Sequence, residues 1–297
     1  MVRNLKVGIP RGLFYYFYSD LWMLFFDKLG IDYIVSPETN REIKNLGNKY
    51  STDEMCLSMK IYIGHVAFLS DKCDFLLVPR IDNYGRDEQT CTNFLACYDI
   101  INNLFNTKVI GYNISLTDGD TEKRAFMRLG KVFKKSSCEI KKAYYYALYK
   151  SRKIFKNKII YNMNNLNKDG KKILLVSHPY NTYDSTIGKC VTEFLNNVGC
   201  IVIYSDLFDK KLCMERSLNL CSGLYWKYSR EIVGSIDLCI DSIDGIIFLS
   251  TFPCGLDSLV NELIIRKINK KCLNLVIDDM DAFAGIETRL ESFVDIV

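Results

Sequence analysis

Three cysteines lie in turns next to predicted helices, where their thiols could bind a metal. Cys254 follows the apolar run that ends at Leu249, in the stretch STFPCGLDS. Cys91 follows another apolar run, in DEQTCTNF, and Cys56 precedes an amphipathic stretch, in DEMCLSMKIYIGHV. Thiolates suit iron–sulfur clusters and zinc. A single loop cysteine is more often incidental, but three at such turns favour a soft-metal site.

Few other side chains in the sequence could do chemistry. His65 and His178 are the only two histidines, so acid–base catalysis by imidazole has few candidates. The glycine-rich patterns GxGxxG and GxxxxGKS/T, which bind nucleotide phosphates, do not occur. No CxxC pair occurs among the 12 cysteines, which argues against a zinc ribbon or a thioredoxin-type motif.

The composition is that of a protein with a large apolar core. The 297 residues are 48% apolar, yet the apolar run LWMLFFDKLG is broken by Asp27 and Lys28, well short of the ~18 residues of a membrane span. The N-terminus has no signal-peptide pattern. We therefore expect a cytoplasmic protein with reduced thiols. Five cysteines in or beside apolar runs are expected in the core: Cys73, Cys190, Cys200, Cys239 and Cys272.

Short apolar strands alternate with longer amphipathic segments, which is typical of βαβ units and a largely parallel sheet. The alternation occurs twice. KVGIP and KILLVSHP are strands that end in a proline, and 20 residues after each proline a helix ends at Gly30 or Gly199. Third strands begin at Asp74 and Asp244, and a fourth follows each.

This repeat predicts an α/β protein with two doubly wound, Rossmann-like parallel-sheet domains, at 1–118 and 165–297. The two would face each other across a cleft lined by the carboxyl ends of both sheets. Residues 119–164 are predicted to form a basic helical linker, as one long helix or two. PRIDNYGRDEQ, after the third strand, is expected to be a long polar loop that carries Arg80, Asn83 and Arg86.

Six motifs together resemble one family: VGIPRGL, DEMCLSMKIYIGHV, DFLLVPRI, HPYNTYDSTIG, FPCGLDS and TRLESFVD. The chain resembles the acyl-CoA dehydratase activase-related proteins, which are similar to the iron–sulfur subunits of 2-hydroxyacyl-CoA dehydratases and benzoyl-CoA reductases. The resemblance implies an oxygen-sensitive [4Fe-4S] cluster, or a larger cluster built from it, in the cleft. Its ligands would be Cys56, Cys91 and Cys254. Cys97, six residues after Cys91, is the alternative to that residue.

The resemblance also implies a function. Low-potential electrons would come from a separate ATP-hydrolysing activase, and would pass to a bound acyl-CoA thioester or small molecule for dehydration or reduction. The alternative is a non-catalytic accessory or cluster-carrier protein of an activase system, and a zinc protein is a third hypothesis. Whether the chain is itself an enzyme stays open. A homodimer or heterodimer is compatible with it, and neither nucleic acid nor a membrane is an expected partner.

Four more residues are candidates for contacting the cluster or a substrate. Arg11, in GIPRG, suits a phosphate or a carboxylate. His178, Tyr180 and Asn181, in SHPYNTYD, offer hydrogen-bond donors, although a turn and a helix cap would also explain this stretch. His65 could close a metal site, but its apolar neighbours favour a structural role.

The predicted linker is strongly basic. Residues 121–160 carry 13 Lys and Arg and two Glu, whereas the whole chain has a net charge of +4. The tyrosines of AYYYALYK lie among these lysines, yet no nucleic-acid motif accompanies them. The segment is either a solvated face, or it docks an acidic partner or attracts the phosphates of coenzyme A.

Overall fold

The computed structural model of the chain describes residues 5–279 and 283–297. The chain forms two compact units, Met1–Ile154 and Phe155–Val297. Each unit is built on one four-stranded parallel sheet. Within the described residues, no helix combines the length and the apolar character needed to cross a membrane.

From residue 5 onward, the first unit contains four strands and five α-helices, followed by a long helix in which the unit boundary falls. The strands are β1 (Lys6–Ile9), β2 (Asp32–Val35), β3 (Phe75–Asn83) and β4 (Lys108–Ser115). The helices are α1 (Tyr15–Leu29), α2 (Arg41–Tyr50), α3 (Leu57–Leu69), α4 (Thr92–Leu104) and α5 (Glu122–Val132), with α6 (Ser137–Leu166) as the long helix.

The second unit repeats the pattern of strands. They are β5 (Lys172–Val176), β6 (Ile201–Tyr204), β7 (Gly245–Thr251) and β8 (Lys271–Ile277). Its helices are α7 (Pro179–Thr182), α8 (Gly188–Asn197), α9 (Lys210–Leu220), α10 (Lys227–Cys239), α11 (Gly255–Ile265) and α12 (Phe283–Ile296).

Both sheets have the same strand order, which confirms the prediction of two doubly wound parallel sheets. The orders are β2-β1-β3-β4 and β6-β5-β7-β8, and every pair is parallel. Every residue of β7 is buried. A parallel strand covered on both faces by helices needs an unbroken apolar run, and GIIFLST comes close to one.

The same aspartate contact joins the central strands of both units. Asp74 accepts a hydrogen bond from the backbone N–H of Lys6 at 2.8 Å, and its own N–H donates to the Lys6 carbonyl at 3.0 Å. Asp244 makes the same two bonds with Lys172, at 2.7 and 2.8 Å. Each pair sets the register between the first and third strands, so the repeat in the sequence corresponds to a repeat in hydrogen bonding.

The helix before the second strand of each unit, α1 or α8, ends in the same way. Gly30 and Gly199 have φ values of +62° and +79°, and the residue after each glycine donates its N–H five residues back, to Phe26 and to Leu195. This is a Schellman ending, which glycine adopts without steric penalty.

The basic linker contains two helices, α5 and α6, which was one of the two predicted alternatives. Ser136 and Glu139 form a capping box at the start of α6. The carboxylate of Glu139 accepts the Ser136 N–H at 2.9 Å, and the Ser136 hydroxyl accepts the Glu139 N–H at 3.3 Å. Lys134, with φ of +55°, turns the chain just before this cap.

The loop predicted after the third strand of unit 1 is shorter than expected. Arg80 and Asn83 belong to β3, which pairs with β4 as far as Ser115. The prediction was wrong here because polar residues can continue a strand when their side chains have partners. The Asn83 amide donates to the hydroxyls of Ser115 and Thr117, at 3.0 and 2.9 Å.

In each unit, a glycine allows two helices to cross closely. A Cβ on Gly64 of α3 would lie 2.1 Å from the Ile43 carbonyl oxygen of α2, and a Cβ on Gly234 of α10 would lie 1.8 Å from the Cys213 carbonyl oxygen of α9. Both distances are far inside van der Waals contact. The helix pair can therefore pack backbone against backbone only where a side chain is absent.

We predict that Gly234→Ala lowers the stability of unit 2, because the new methyl group must push α9 and α10 apart. The expected loss is about 1–3 kcal/mol or more, measured as a shift in the urea midpoint. Gly223→Ala is the matched control, since nothing lies within 4 Å of a Cβ there, and its change should stay within about 0.5 kcal/mol. Equal midpoints for the two variants would contradict the close crossing.

Candidate functional site

Cys56 and Cys91 occupy equivalent local positions in unit 1. Each is the N-cap of a helix, Cys56 of α3 and Cys91 of α4, with φ and ψ of −61° and 148° and of −62° and 142°. α4 follows β3, so it begins at the carboxyl edge of the sheet. α3 leads back to the start of β3, so its N-terminus lies at the same edge.

A hydrogen bond joins the two helix starts. The amide of Asn93, in the first turn of α4, donates to Cys56 Sγ at 3.7 Å, and Cys91 is two residues before Asn93. Neighbouring contacts hold this turn in place. The Thr90 N–H donates to the Asp82 carbonyl at 2.9 Å, and the ring of Phe94 lies 4.3 Å from that of Phe14.

A helix N-terminus favours the thiolate form of a cysteine. The first backbone N–H groups of a helix have no partner within the helix, and the helix dipole places partial positive charge there. Thiolate, not thiol, binds metals. Cys56 and Cys91 are both half-buried, so they combine a stabilising environment with access from solvent. These features fit iron–sulfur ligation, which also uses backbone N–H groups near the sulfur atoms.

Cys97, the alternative to Cys91, lies in a different environment. It is fully buried inside α4. Burial raises the pKa of its thiol to about 12, although a hydrogen bond with Tyr62 acts in the opposite direction. Cys97 thus packs in the apolar core, and Cys91 is the better candidate for a metal ligand.

Cys254 occupies in unit 2 the place that Cys91 occupies in unit 1. It is half-buried and is the N-cap of α11, the helix that follows β7. Its side chain makes a hydrogen bond with the carboxylate of Asp257, and Asp257 Oδ1 lies 3.0 Å from His178 Nε2. A thiol, a carboxylate and an imidazole therefore form a connected row at the carboxyl edge of the second sheet.

Asp257 is the member of this row that the sequence analysis missed. Burial alone would raise the pKa of Asp257, but the charge of His178 and the hydrogen bonds from His178 and Cys254 leave that pKa below its usual value. Asp257 is thus the anion to which His178 is bound. One sequence signal was available, because an acidic residue three positions after a helix cap is typical of a capping box.

The strand end beside this row is firmly fixed. The hydroxyl of Ser177 donates to the Leu249 carbonyl at 2.6 Å, and the Ser177 N–H donates to the Ser205 hydroxyl at 3.2 Å. The next residue, His178, stacks on Tyr180 with ring centroids 5.2 Å apart. A small pocket lies beside His178 and Asp257, with Ser177, Ser229 and Asn261 as its other polar lining residues. Asn181, also predicted for this site, is fully buried in α7.

Arg11, the other predicted substrate contact, is in unit 1. Its backbone N–H donates to the Ser36 hydroxyl at 2.8 Å. Its guanidinium lies 3.6 Å from a carboxylate oxygen of Glu38 and 5.5 Å from the ring centroid of Tyr15. Among the described residues, Arg11 Nε is buried and has no hydrogen-bond partner. The Arg11 guanidinium is therefore already engaged by Glu38 and Tyr15.

His65 has a structural role. It is fully buried in α3, and its Nε2 lies 3.0 Å from the Thr39 hydroxyl. Burial, aided by the positive charge of Arg11, lowers the pKa of His65 to about 3. The imidazole is thus neutral at physiological pH and packs between α3 and the segment before α2.

The five cysteines predicted for the core are only partly confirmed. Cys200 and Cys239 are buried, whereas the other three are half-buried. Burial raises the pKa of all five thiols, to about 12 for Cys239 and to about 11 for Cys73 and Cys272. The five are Cys73, Cys190, Cys200, Cys239 and Cys272.

Within residues 5–279 and 283–297, no three His, Cys, Asp or Glu side chains converge on a point where they could hold one metal ion. Cys56 and Cys91 belong to unit 1, and Cys254 belongs to unit 2. Cys254, Asp257 and His178 are connected in a row, with Asp257 between the other two.

We predict that the buried imidazole of His65 makes the protein less stable as the pH falls. Between its usual pKa of 6.5 and its folded value of about 3, the unfolded chain binds a proton that the folded chain does not. Stability should therefore fall by about 1.4 kcal/mol per pH unit in that range. Urea midpoints of the wild type and His65→Gln at about pH 7.5, 6 and 5 measure the effect.

The His65→Gln variant should lose less stability than the wild type over this range. His178→Gln is the control, because it removes the only other histidine and leaves the His65 effect in place. Parallel pH profiles for the wild type and His65→Gln would contradict the burial argument.

The comparison with known proteins agrees with the activase-related part of the resemblance. The chain matches a family described as the CoA enzyme activase uncharacterised domain (DUF2229), over residues 6–208. This segment contains Cys56 and Cys91 and ends before Cys254. No curated protein matches the chain. Because the family match extends over more than half of the sequence, the chain belongs to the CoA enzyme activase domain family.

Proposed function

We propose that the protein is an iron–sulfur protein of the 2-hydroxyacyl-CoA dehydratase type, in which Cys56, Cys91 and Cys254 bind a [4Fe-4S] cluster or a larger cluster built from it. It would accept low-potential electrons from a separate ATP-hydrolysing activase, and support reduction or dehydration of a thioester or small substrate. The observation that carries the proposal is the position of Cys56 and Cys91 at the starts of two contacting helices.

The contrast between two groups of cysteines supports this assignment. Cys56, Cys91 and Cys254 are all helix N-caps, and at Cys56 and Cys91 the backbone N–H groups and the helix dipole favour a thiolate. Thiols such as Cys97 and Cys239 are buried among apolar side chains, and burial raises their pKa to about 12. A soft metal would select the first group, because it needs deprotonated sulfur.

The residues next to Cys254 have a role that does not depend on where a cluster would bind. Asp257 and His178 place a carboxylate and an imidazole behind the cysteine. The imidazole and the carboxylate can form hydrogen bonds with a molecule in the adjoining pocket. When bound, an iron–sulfur cluster supplies one-electron chemistry, and this row supplies hydrogen-bonding groups.

We predict that Cys56→Ser and Cys91→Ser lower the iron content of anaerobically reconstituted protein and bleach its visible absorption, with the fold kept. Serine is a much weaker ligand for iron–sulfur clusters. Cys254→Ser should act in the same way. The measurement is iron and sulfide per folded protein, with folded protein determined by far-UV circular dichroism and gel filtration.

Cys239→Ser is the matched control for these variants. It places a hydroxyl in a buried site, at an expected loss of about 1–3 kcal/mol of stability if unpaired, and should keep its iron per folded molecule. If the Cys56 and Cys91 variants keep the iron content of the wild type, the assignment of these residues as ligands is wrong. A reconstituted brown protein without turnover would instead favour the accessory or carrier function, and bound zinc would favour the third hypothesis.

We predict that the purified chain does not hydrolyse ATP alone. Its sequence has neither of the two glycine-rich patterns that cradle nucleotide phosphates, so the proposed division of labour assigns ATP to a separate chain. A phosphate-release assay on the protein, with and without reconstituted iron, tests this. Sustained ATPase activity would make this chain the activase itself and overturn the proposed partner.

A further inference from the structure

The first half of helix α6 exposes three tyrosines on its solvent side. Tyr145, Tyr146 and Tyr149 are 52%, 39% and 66% exposed, and Tyr149 is a neighbour of both other rings, because residues three and four apart adjoin on a helix surface. Tyrosine is enriched where proteins bind proteins.

Lysines surround these rings. The Lys123 ammonium lies 5.2 Å from the ring centroid of Tyr145 and donates to its hydroxyl at 2.8 Å. Tyr146 has two lysines near its ring, Lys28 at 5.1 Å and Lys150 at 5.8 Å. Cation–π contacts at these distances hold each ammonium in place. The tyrosine rings therefore hold close together ammonium groups that would otherwise repel each other and move apart.

These lysines have no carboxylate to neutralise them. In the part of the chain that the structure describes, none of them forms an ion pair. The two nearby glutamates are engaged elsewhere, Glu122 with the Tyr144 hydroxyl at 3.0 Å and Glu139 with Ser136. Like charges held together without counter-charges destabilise the isolated protein.

We propose that this surface binds an acidic face of a partner protein. We call it the lysine–tyrosine face, and its residues are Lys28, Lys123, Lys141, Lys142, Tyr145, Tyr146, Tyr149, Lys150 and Lys153. Carboxylates of the partner would accept hydrogen bonds from the ammonium and phenol groups. If the function proposed above holds, the partner is the ATP-hydrolysing component, but the binding chemistry does not depend on that function.

The geometry disfavours nucleic acid. Single-stranded nucleic acid binds proteins by stacking its bases on open aromatic rings. Here two ammonium groups lie over the ring of Tyr146 and a third binds the Tyr145 hydroxyl, which leaves Tyr149 as the one open ring of the three. A base would have to displace these lysines, whereas a carboxylate can bind between them.

The burial pattern also disfavours a membrane surface. A helix that lies in a membrane inserts an apolar face into the lipid. In the first half of α6 the apolar side is buried within the protein, at Ile140, Ala143 and Ala147, and the exposed side carries lysines and tyrosines. Attraction to a charged surface remains, but the lysine–tyrosine face itself contains no aliphatic side chain that could insert into lipid.

The test measures binding of fluorescent poly-L-glutamate to the full chain by anisotropy. Binding should weaken steeply between about 50 and 300 mM NaCl, since such attraction is screened within ~8–10 Å. The triple variant Lys141→Glu, Lys142→Glu, Lys150→Glu should weaken it by about tenfold or more. Tyr145→Phe with Tyr149→Phe keeps the rings and removes two donors, and should weaken binding by a smaller factor.

The matched control is Lys49→Glu, Lys72→Glu, Lys211→Glu, which makes the same change in net charge at exposed lysines elsewhere. An equal loss of binding in this control would overturn the proposal, because total charge alone would then explain the interaction. Tighter binding of oligo-dT or of phosphatidylserine vesicles than of poly-L-glutamate would overturn it as well. Iron content, measured in the same variants, should not change, so failure here and failure of the cluster proposal are distinguishable.

Discussion

Parallel strand pairing is the constraint on which the rest of this structure depends. A chain that leaves one parallel strand must return to the other end of the sheet before the next strand begins, and a helix makes this return. Every helix that follows a strand therefore starts at the carboxyl edge. Cys91 and Cys254 lie at such starts, after β3 and β7. The backbone N–H groups and the helix dipole at these positions result from the turn between strand and helix, so they are present whether or not a ligand binds.

The strands and the repeat could be predicted from the sequence because they depend on local and periodic signals. The apolar runs predicted all eight strands, and Gly30 and Gly199 predicted two helix ends, since a Schellman ending requires a positive φ. Asp74 and Asp244 were recognised as strand starts, but their bonds to Lys6 and Lys172 join residues far apart in the sequence. The extension of β3 through Asn83 was missed for the same reason, because the partners of Asn83 are at the end of β4 and just after it.

The residues of the candidate site also fall into two groups, those that local sequence signals identify and those that only long-range contacts identify. Cys56, Cys91 and Cys254 were identifiable by their places between a polar turn and a helix. The choice between Cys91 and Cys97 depended on which thiol faces the core, and that is decided by packing of α4 against its neighbours. Asp257 was missed because its importance comes from contact with His178, 79 residues earlier in the chain. A spacing pattern contains little information about such a contact, although Asp257 is only three residues after Cys254.

The two units also differ where a simple duplication would make them alike. Gly64 and Gly234 each lie eight residues after a helix N-cap, but that cap is Cys56 in unit 1 and Trp226 in unit 2. The residue before the first proline is Ile9 in unit 1 and His178 in unit 2. The shared framework thus holds a pair of thiols in one unit, and a thiol, a carboxylate and an imidazole in the other. Because backbone contacts such as the Asp74 and Asp244 pairs maintain the fold, the side chains at the carboxyl edges can differ without loss of the framework. The chemistry of each unit is therefore set by a few residues at helix starts.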